Sequence, residues 1–257
     1  MILRREGSSR SGCRLGVVLL GGLVLLAGVF WIQARREDRL FGRFVEATVR
    51  AEMSDSEKSV ALMHGVHRLL APRTYAFAGD SSAFDRWLPA SLTRILIEGG
   101  ACGAQSRVLA RALQVAGLEA RLVQLRVAGF WGAHIVAAAR VDSRWVPLDP
   151  LLDVALTDAD GRLADIEAVS RAWESYAPQI PEGNRHRVDY REFRYTNWEQ
   201  VPVLLPAVRT GLGWVLGEER VGGLSLRAHV LNVHRLYALA CLALGVALCW
   251  SAGWRAR

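Results

Sequence analysis

GGACGAQSRVLARALQVAGLEARLVQLRV, residues 99–127, runs directly into AGFWGAHIVAAARVDSRWVPLDP, residues 128–150. Between the two apolar ends of the chain this stretch holds the only cysteine, followed by a histidine and an aspartate: Cys102, His134 and Asp149. Gly99 and Gly100 end whatever helix precedes them. Val108, Leu109, Ala112, Leu113 and Ala116 recur at three- and four-residue steps, and Gly117 supplies a stop, so a helix is predicted over Gly103 to Val115. Cys102 then stands in or just before the first helical turn, where unpaired N–H groups and the helix dipole favour negative charge. That environment lowers a thiol's pKa and favours the reactive thiolate. A buried structural cysteine is the bland alternative, about as common for this residue type.

The segment Arg121 to Val127 alternates from Val123 onward and is predicted to be a strand. A turn of small residues follows, then His134 to Arg140, a polar break at Asp142-Ser143, and Arg144 to Asp149, which together form a β-hairpin pattern. A hairpin folded about Val141 and Asp142 sets His134 directly across from Asp149, and opposed Cβ atoms lie about 4.5–5.5 Å apart. A slip of two residues is the competing register. Pro147 needs no N–H partner there, as at an edge or a bulge. Nucleophile, base and orienting acid are what covalent acyl transfer requires. The histidine takes the thiol proton, and the carboxylate fixes its tautomer and steadies the imidazolium.

Gly100-Ala-Cys102, Gly117-Leu-Glu-Ala-Arg121, His134 and Trp145-Val-Pro-Leu-Asp149-Pro150 together resemble the core of the transglutaminase-like superfamily, whose fold is related to papain-like cysteine proteases. The resemblance covers about a fifth of the chain. It implies an α+β core, a nucleophile helix packed on an antiparallel sheet, with Cys102 as nucleophile, His134 as general base and Asp149 as orienting acid. It implies no metal and no organic cofactor. The family's acidic residue soon after the nucleophile is replaced here by Gly103-Ala104-Gln105, and the His134 strand lacks its usual Glu, which leaves the substrate class open. The Gly99-Gly100-Ala-Cys102 spelling also resembles arylamine N-acetyltransferases, although Glu98 stands where they carry Arg.

The 257 residues allow one substantial domain with appendages. Residues 15–34 and 236–254 carry no charge and are long enough to cross a bilayer. The glycines at 16, 21, 22 and 28 suit lipid better than a soluble core. No small-x-small cleavage site follows the first stretch, so it is read as an uncleaved anchor. The expected organisation is a basic tail (1–14), a span (15–34), a transglutaminase-like domain (35–200), an interfacial segment (201–235), a second span (236–254) and a short tail (255–257). Arginines flank each span evenly on both sides. An extracytoplasmic domain on a bacterial inner membrane is therefore expected only because short basic tails stay inside readily.

The net charge of +7 is mostly membrane flank: the tails hold six of the 32 basic residues and one of the 25 acidic ones. No concentrated basic patch points to nucleic acid. Cys102 has no cysteine partner in the middle of the chain, so a free thiol is expected in any compartment. No Cys-x-x-Cys occurs, and His64 and His67 are expected to face outward from a helix rather than bind metal. Ser54-Asp-Ser-Glu57 has capping-box spacing. Leu40 to Met53 reads as an amphipathic helix, Trp87 to Glu98 as the helix leading to the nucleophile, Leu163 to Tyr176 as helical, and Val188 to Tyr195 as a strand. The loop from Arg73 to Asp85 carries Tyr75, Phe77 and Phe84, read as inward-packing aromatics.

The predicted function is a membrane-anchored cysteine enzyme that forms a thioester on Cys102 from an amide or ester. Water (a protease or deamidase) or an amine (acyl transfer) resolves it, with a protein, peptide or amine as substrate. The Cys102 N–H is one expected oxyanion donor, and Trp131 is a candidate for the second. The alternatives are an idle scaffold in an envelope or polysaccharide-export assembly and a plain anchored binding module.

Overall fold

The computed structural model describes residues 8–73, 90–198 and 204–255. The chain divides into two compact units, Met1–Arg39 with Asn232–Arg257, and Leu40–Leu231. The loop aromatics Tyr75, Phe77 and Phe84 lie outside the described residues, as do residues 87–89 of the helix expected before the nucleophile.

The first unit is a helix pair. Helix α1 spans Ser8–Thr48 without a break. The separate helix expected from Leu40 is its continuation, because nothing between Ala34 and Leu40 breaks a helix. The last helix of the chain spans Val233–Arg255. Among the described residues these two helices are long and apolar enough to cross a membrane. Within the unit, Asn232 Nδ2 donates to Ala34 O and to Asp38 Oδ1, each at 3.3 Å, and Arg235 pairs with Asp38 at 2.5 Å. Phe30 meets Tyr237 edge to face.

The second unit is α+β. Helix α2, Asp55–Leu70, opens on the expected capping box: the Ser54 hydroxyl accepts from Glu57 N, and Glu57 takes Ser54 N–H at 2.7 Å. Helix α3, Leu92–Glu98, is capped by Ser91. Gly99 at φ +87° then turns the chain, and a Cβ there would collide with the Arg73 carbonyl. Helix α4 is Cys102–Val115. Strands β1 (Ala120–Val127), β2 (Phe130–Val141), β3 (Arg144–Asp149), β4 (Val154–Ala155) and β5 (Phe193–Arg194) form one antiparallel sheet ordered β4-β3-β2-β1-β5.

Period-two alternation gives the sheet two buried faces. Leu122, Ala137, Ala139, Val146 and Leu148 pack under α2 and α4, against Leu62, Met63, Val66, Leu109 and Leu113. Val123, Leu125, Val136 and Ala138 pack on Ile166, Val169, Trp173 and Tyr190 on the other side. The helix expected over Leu163–Tyr176 forms as two short pieces, Ile166–Arg171 and Trp173–Tyr176, parted at Ala172. The strand expected over Val188–Tyr195 pairs only at Phe193–Arg194, because the Asp189 carboxylate accepts from Arg191 N at 3.0 Å and bends the chain first. A helix over Leu204–Leu216 follows, with Trp214 and Val215 highly exposed. Two further short helices, Glu218–Gly222 and Leu226–His229, then pack back on the sheet: Ser225 Oγ accepts from Leu122 N, and Thr196 Oγ1 donates to Leu224 O.

Candidate active site

The β2–β3 hairpin turns at Asp142 and Ser143, with φ of 49° and 65°. Two residues with positive φ make a type I′ turn, which matches strand twist, and Asp tolerates this conformation better than most residues. The register is therefore Val141↔Arg144 through Ala137↔Leu148, two residues from the one that opposes His134 and Asp149. A shift of two keeps both residues on the same face. His134 stands diagonally from Asp149 and its ring spans the offset: Nε2 lies 2.6 Å from Asp149 Oδ2. Pro147 turns its missing N–H towards the outer edge, where β4 is too short to pair with it.

An interruption aims the histidine. β1 and β2 pair in step up to Leu125↔His134, and pairing resumes at Arg126↔Trp131, leaving Gly132 and Ala133 as a bulge. Gly132 takes φ +73°. Bulges beside sites redirect the next side chain.

The cysteine reaches this pair through a gap in the sheet. Arg140 N–H bonds Glu119 O, so even-numbered β2 peptides face β1 and odd-numbered ones face β3. Ile135 thus points its N–H and C=O at the position of Pro150, where β3 pairing has ended. The start of α4 fills that place. Ser106 Oγ donates to Ile135 O at 2.8 Å, and the Cys102 thiol meets both the Ile135 main chain and the His134 ring. Gly103 permits the approach, since a Cβ on it would lie 3.2 Å from Ile135 Cδ1. With Nε2 on Asp149, the ring's Nδ1 is left for the thiol.

Asp149 is fully buried and its other oxygen, Oδ1, accepts from Leu151 N at 3.0 Å and Leu152 N at 3.2 Å. Buried Tyr190 feels its charge: burial, then Asp149, pushes the phenol well above its usual range. Burial alone lowers the His134 pKa, but the charge and hydrogen bond of Asp149, with Cys102 adding, raise it from 6.5 to about 10. Burial pushes the Cys102 thiol up. The hydrogen bond and charge of His134 and the Ile135 main chain outweigh this and leave it below its usual value, against the opposing charge of Asp149. Both directions favour a thiolate–imidazolium pair. Ala101, at the N-cap, offers no side-chain acceptor, so no cap side chain competes for the N–H groups of the first turn.

His64 and His67 correct an expectation. They face the segment after Asp149 and are half-buried: His67 Nδ1 lies 2.9 Å from Pro150 O, and His64 Nδ1 lies 2.6 Å from Asp153 Oδ1. Their three-residue spacing beside Met63 and Val66 was the available signal for an inward face. Ser106 and Ile135 were missed, because nothing in the sequence marks where a strand ladder stops. Trp131 carries the Arg194 guanidinium over its ring at 4.4 Å and that of Arg126 at 5.8 Å. No group of three or more metal-ligating side chains occurs among the described residues.

Residues 43–150 match the family model of the transglutaminase-like superfamily, Transglut_core. This stretch of the chain, which includes Cys102, His134 and Asp149, is a transglutaminase-like domain. Two solved structures match the chain in part. One is a candidate cysteine protease from Cytophaga hutchinsonii, with 13% identity, a TM-score of 0.35, and coverage of 51% of this chain and 41% of that one. The other is a TGase, with 22% identity, a TM-score of 0.36, and coverage of 47% and 32%. The chain thus spans less than half the length of either. No curated protein matches it.

Proposed function

We propose that the domain is a cysteine acyl-transfer enzyme held at a membrane by its two apolar helices. The observation that carries this reading is the buried 2.6 Å contact between His134 and Asp149, with the Cys102 thiol on the same imidazole at a helix start. In the proposed cycle the Cys102 thiolate attacks the carbonyl carbon of an amide or ester. The oxyanion is met by the Cys102 N–H. His134 gives its proton to the leaving amine or alcohol, and a thioester remains. His134 then takes a proton from water, giving hydrolysis, or from an amine, giving transfer, and the acyl group leaves Cys102. Asp149 holds the ring in orientation throughout. A protein or peptide acyl donor suits the protease-like core. In this reading the basic tails stay on the cytoplasmic side of a bacterial inner membrane and the domain lies outside.

The test is labelling of intact cells with a membrane-impermeant maleimide between pH 5 and 9, in wild type and His134→Ala. Rapid labelling of Cys102 near pH 6 is expected, slowed at least about tenfold in the variant, since thiolate fraction changes tenfold per pKa unit. Labelling that ignores His134 sinks the catalytic assignment. Labelling that needs lysis sinks the topology alone.

A further inference from the structure

At the turn end of the hairpin, five β2 residues or about 17 Å from His134, a cleft of about 460 Å³ opens. Its walls include Arg121, Trp145, Gly223 and His229. The Arg121 guanidinium lies 3.8 Å over the Trp145 ring and 4.7 Å over that of Tyr195. Stacking of this kind restrains the planar guanidinium, which lines the cleft. Among the described residues Arg121 forms no ion pair. Glu119, the acidic residue of the cleft, is already held by Arg140 Nη1 at 3.1 and 3.2 Å.

Gly223 adds an independent observation. Its φ of −79° and ψ of −5° suit any residue, so the backbone does not call for glycine. What a Cβ would meet is the guanidinium: its position lies 3.2 Å from Arg121 Nη1 and 3.4 Å from Nη2. An oxygen at that point would sit within hydrogen-bonding reach of both guanidinium nitrogens, a charge-assisted contact that favours an oxyanion. His229 lines the same cleft, and its imidazole ring can offer an N–H donor.

We infer that this cleft binds a phosphate group, one of whose oxygens is held between the two terminal nitrogens of Arg121 in the space Gly223 leaves open. A free phosphate compound or a phospholipid headgroup carries the same chemistry. His229 precedes by four residues the apolar helix that starts at Val233.

The full chain in detergent would be unfolded thermally in increasing inorganic phosphate, against chloride and acetate at equal ionic strength. Lipid phosphorus retained per chain would be measured in parallel. The expected result is a saturable rise in Tm with phosphate alone. In Gly223→Ala the half-saturating concentration rises at least tenfold, while the phosphate-free Tm and the Cys102 labelling rate stay at wild type. Arg121→Gln abolishes the rise; because it also removes the ring stacking, Gly223→Ala carries the decision. If free phosphate gives no rise but retained phosphorus falls in Gly223→Ala, the headgroup is the source. Equal shifts in acetate or chloride overturn the proposal. So does an undiminished response in Gly223→Ala with unchanged retained lipid.

Discussion

At the scale of single residues, the proposed site pairs the Cys102 thiol with an imidazole that Asp149 biases towards its charged form. A histidine whose folded pKa is raised, here from 6.5 to about 10, contributes stability that is complete below its unfolded value and is lost as pH rises through the folded one. The domain should therefore lose stability progressively between about pH 6.5 and pH 10. Asp149→Asn removes the charge that raises His134, so this part of the alkaline slope should vanish in the variant. Breaking a buried pair in this way also costs about 3–5 kcal/mol. Denaturant titrations of both proteins across that pH range measure the difference, and parallel slopes would refute it. Cys102 responds oppositely: its labelling should stay fast at mildly acid pH in wild type and shift to higher pH in Asp149→Asn.

At the scale of elements, the docking of α4 into the end of the sheet holds the site together. Ser106 is fully buried, and Ser106→Ala leaves the Ile135 carbonyl without that donor. The expected cost is about 1–3 kcal/mol, read as a fall in Tm. Cys102 labelling should slow as well, because the same Ile135 peptide faces the thiol. Gly99→Ala should be more damaging, since it combines a left-handed φ with a collision on the Arg73 main chain; loss of soluble folded protein on expression is the readout. The sequence made α4, the three long strands and the candidate residues Cys102, His134 and Asp149 legible, because helical and alternating periods differ and the Gly-Cys, His and Asp-Pro signals are local. It could not give the hairpin register. An Asp-Ser turn carries no Asn-Gly marker, and turning at 142–143 rather than 141–142 moves every pair by two. The bulge at Gly132-Ala133, the stop at Pro150 and the inward face of His64 and His67 depend on partners distant in sequence.

At the scale of the whole molecule, the Leu40–Leu231 unit has both of its own cores, and the final turns of α1 supply Phe41 to one of them. A fragment starting at Leu40 and ending at Leu231 should fold without the apolar helices and show a cooperative thermal transition. A fragment starting at Ser54 lacks buried Phe41 and its neighbours Phe44 and Val45, and should be less stable by about 3–5 kcal/mol, the usual loss for a buried aromatic. Comparing the two melting curves checks both statements.

The diagonal placement of His134 and Asp149 also makes the site a parity counter. Lengthening β3 by one residue between Trp145 and Leu148 would carry the carboxylate through the sheet to the side facing α4, out of the imidazole's reach. Two added residues would return it to the original side. Insertions within that strand should thus be tolerated or fatal according to whether their number is even or odd, a rule that composition and hydropathy would never disclose.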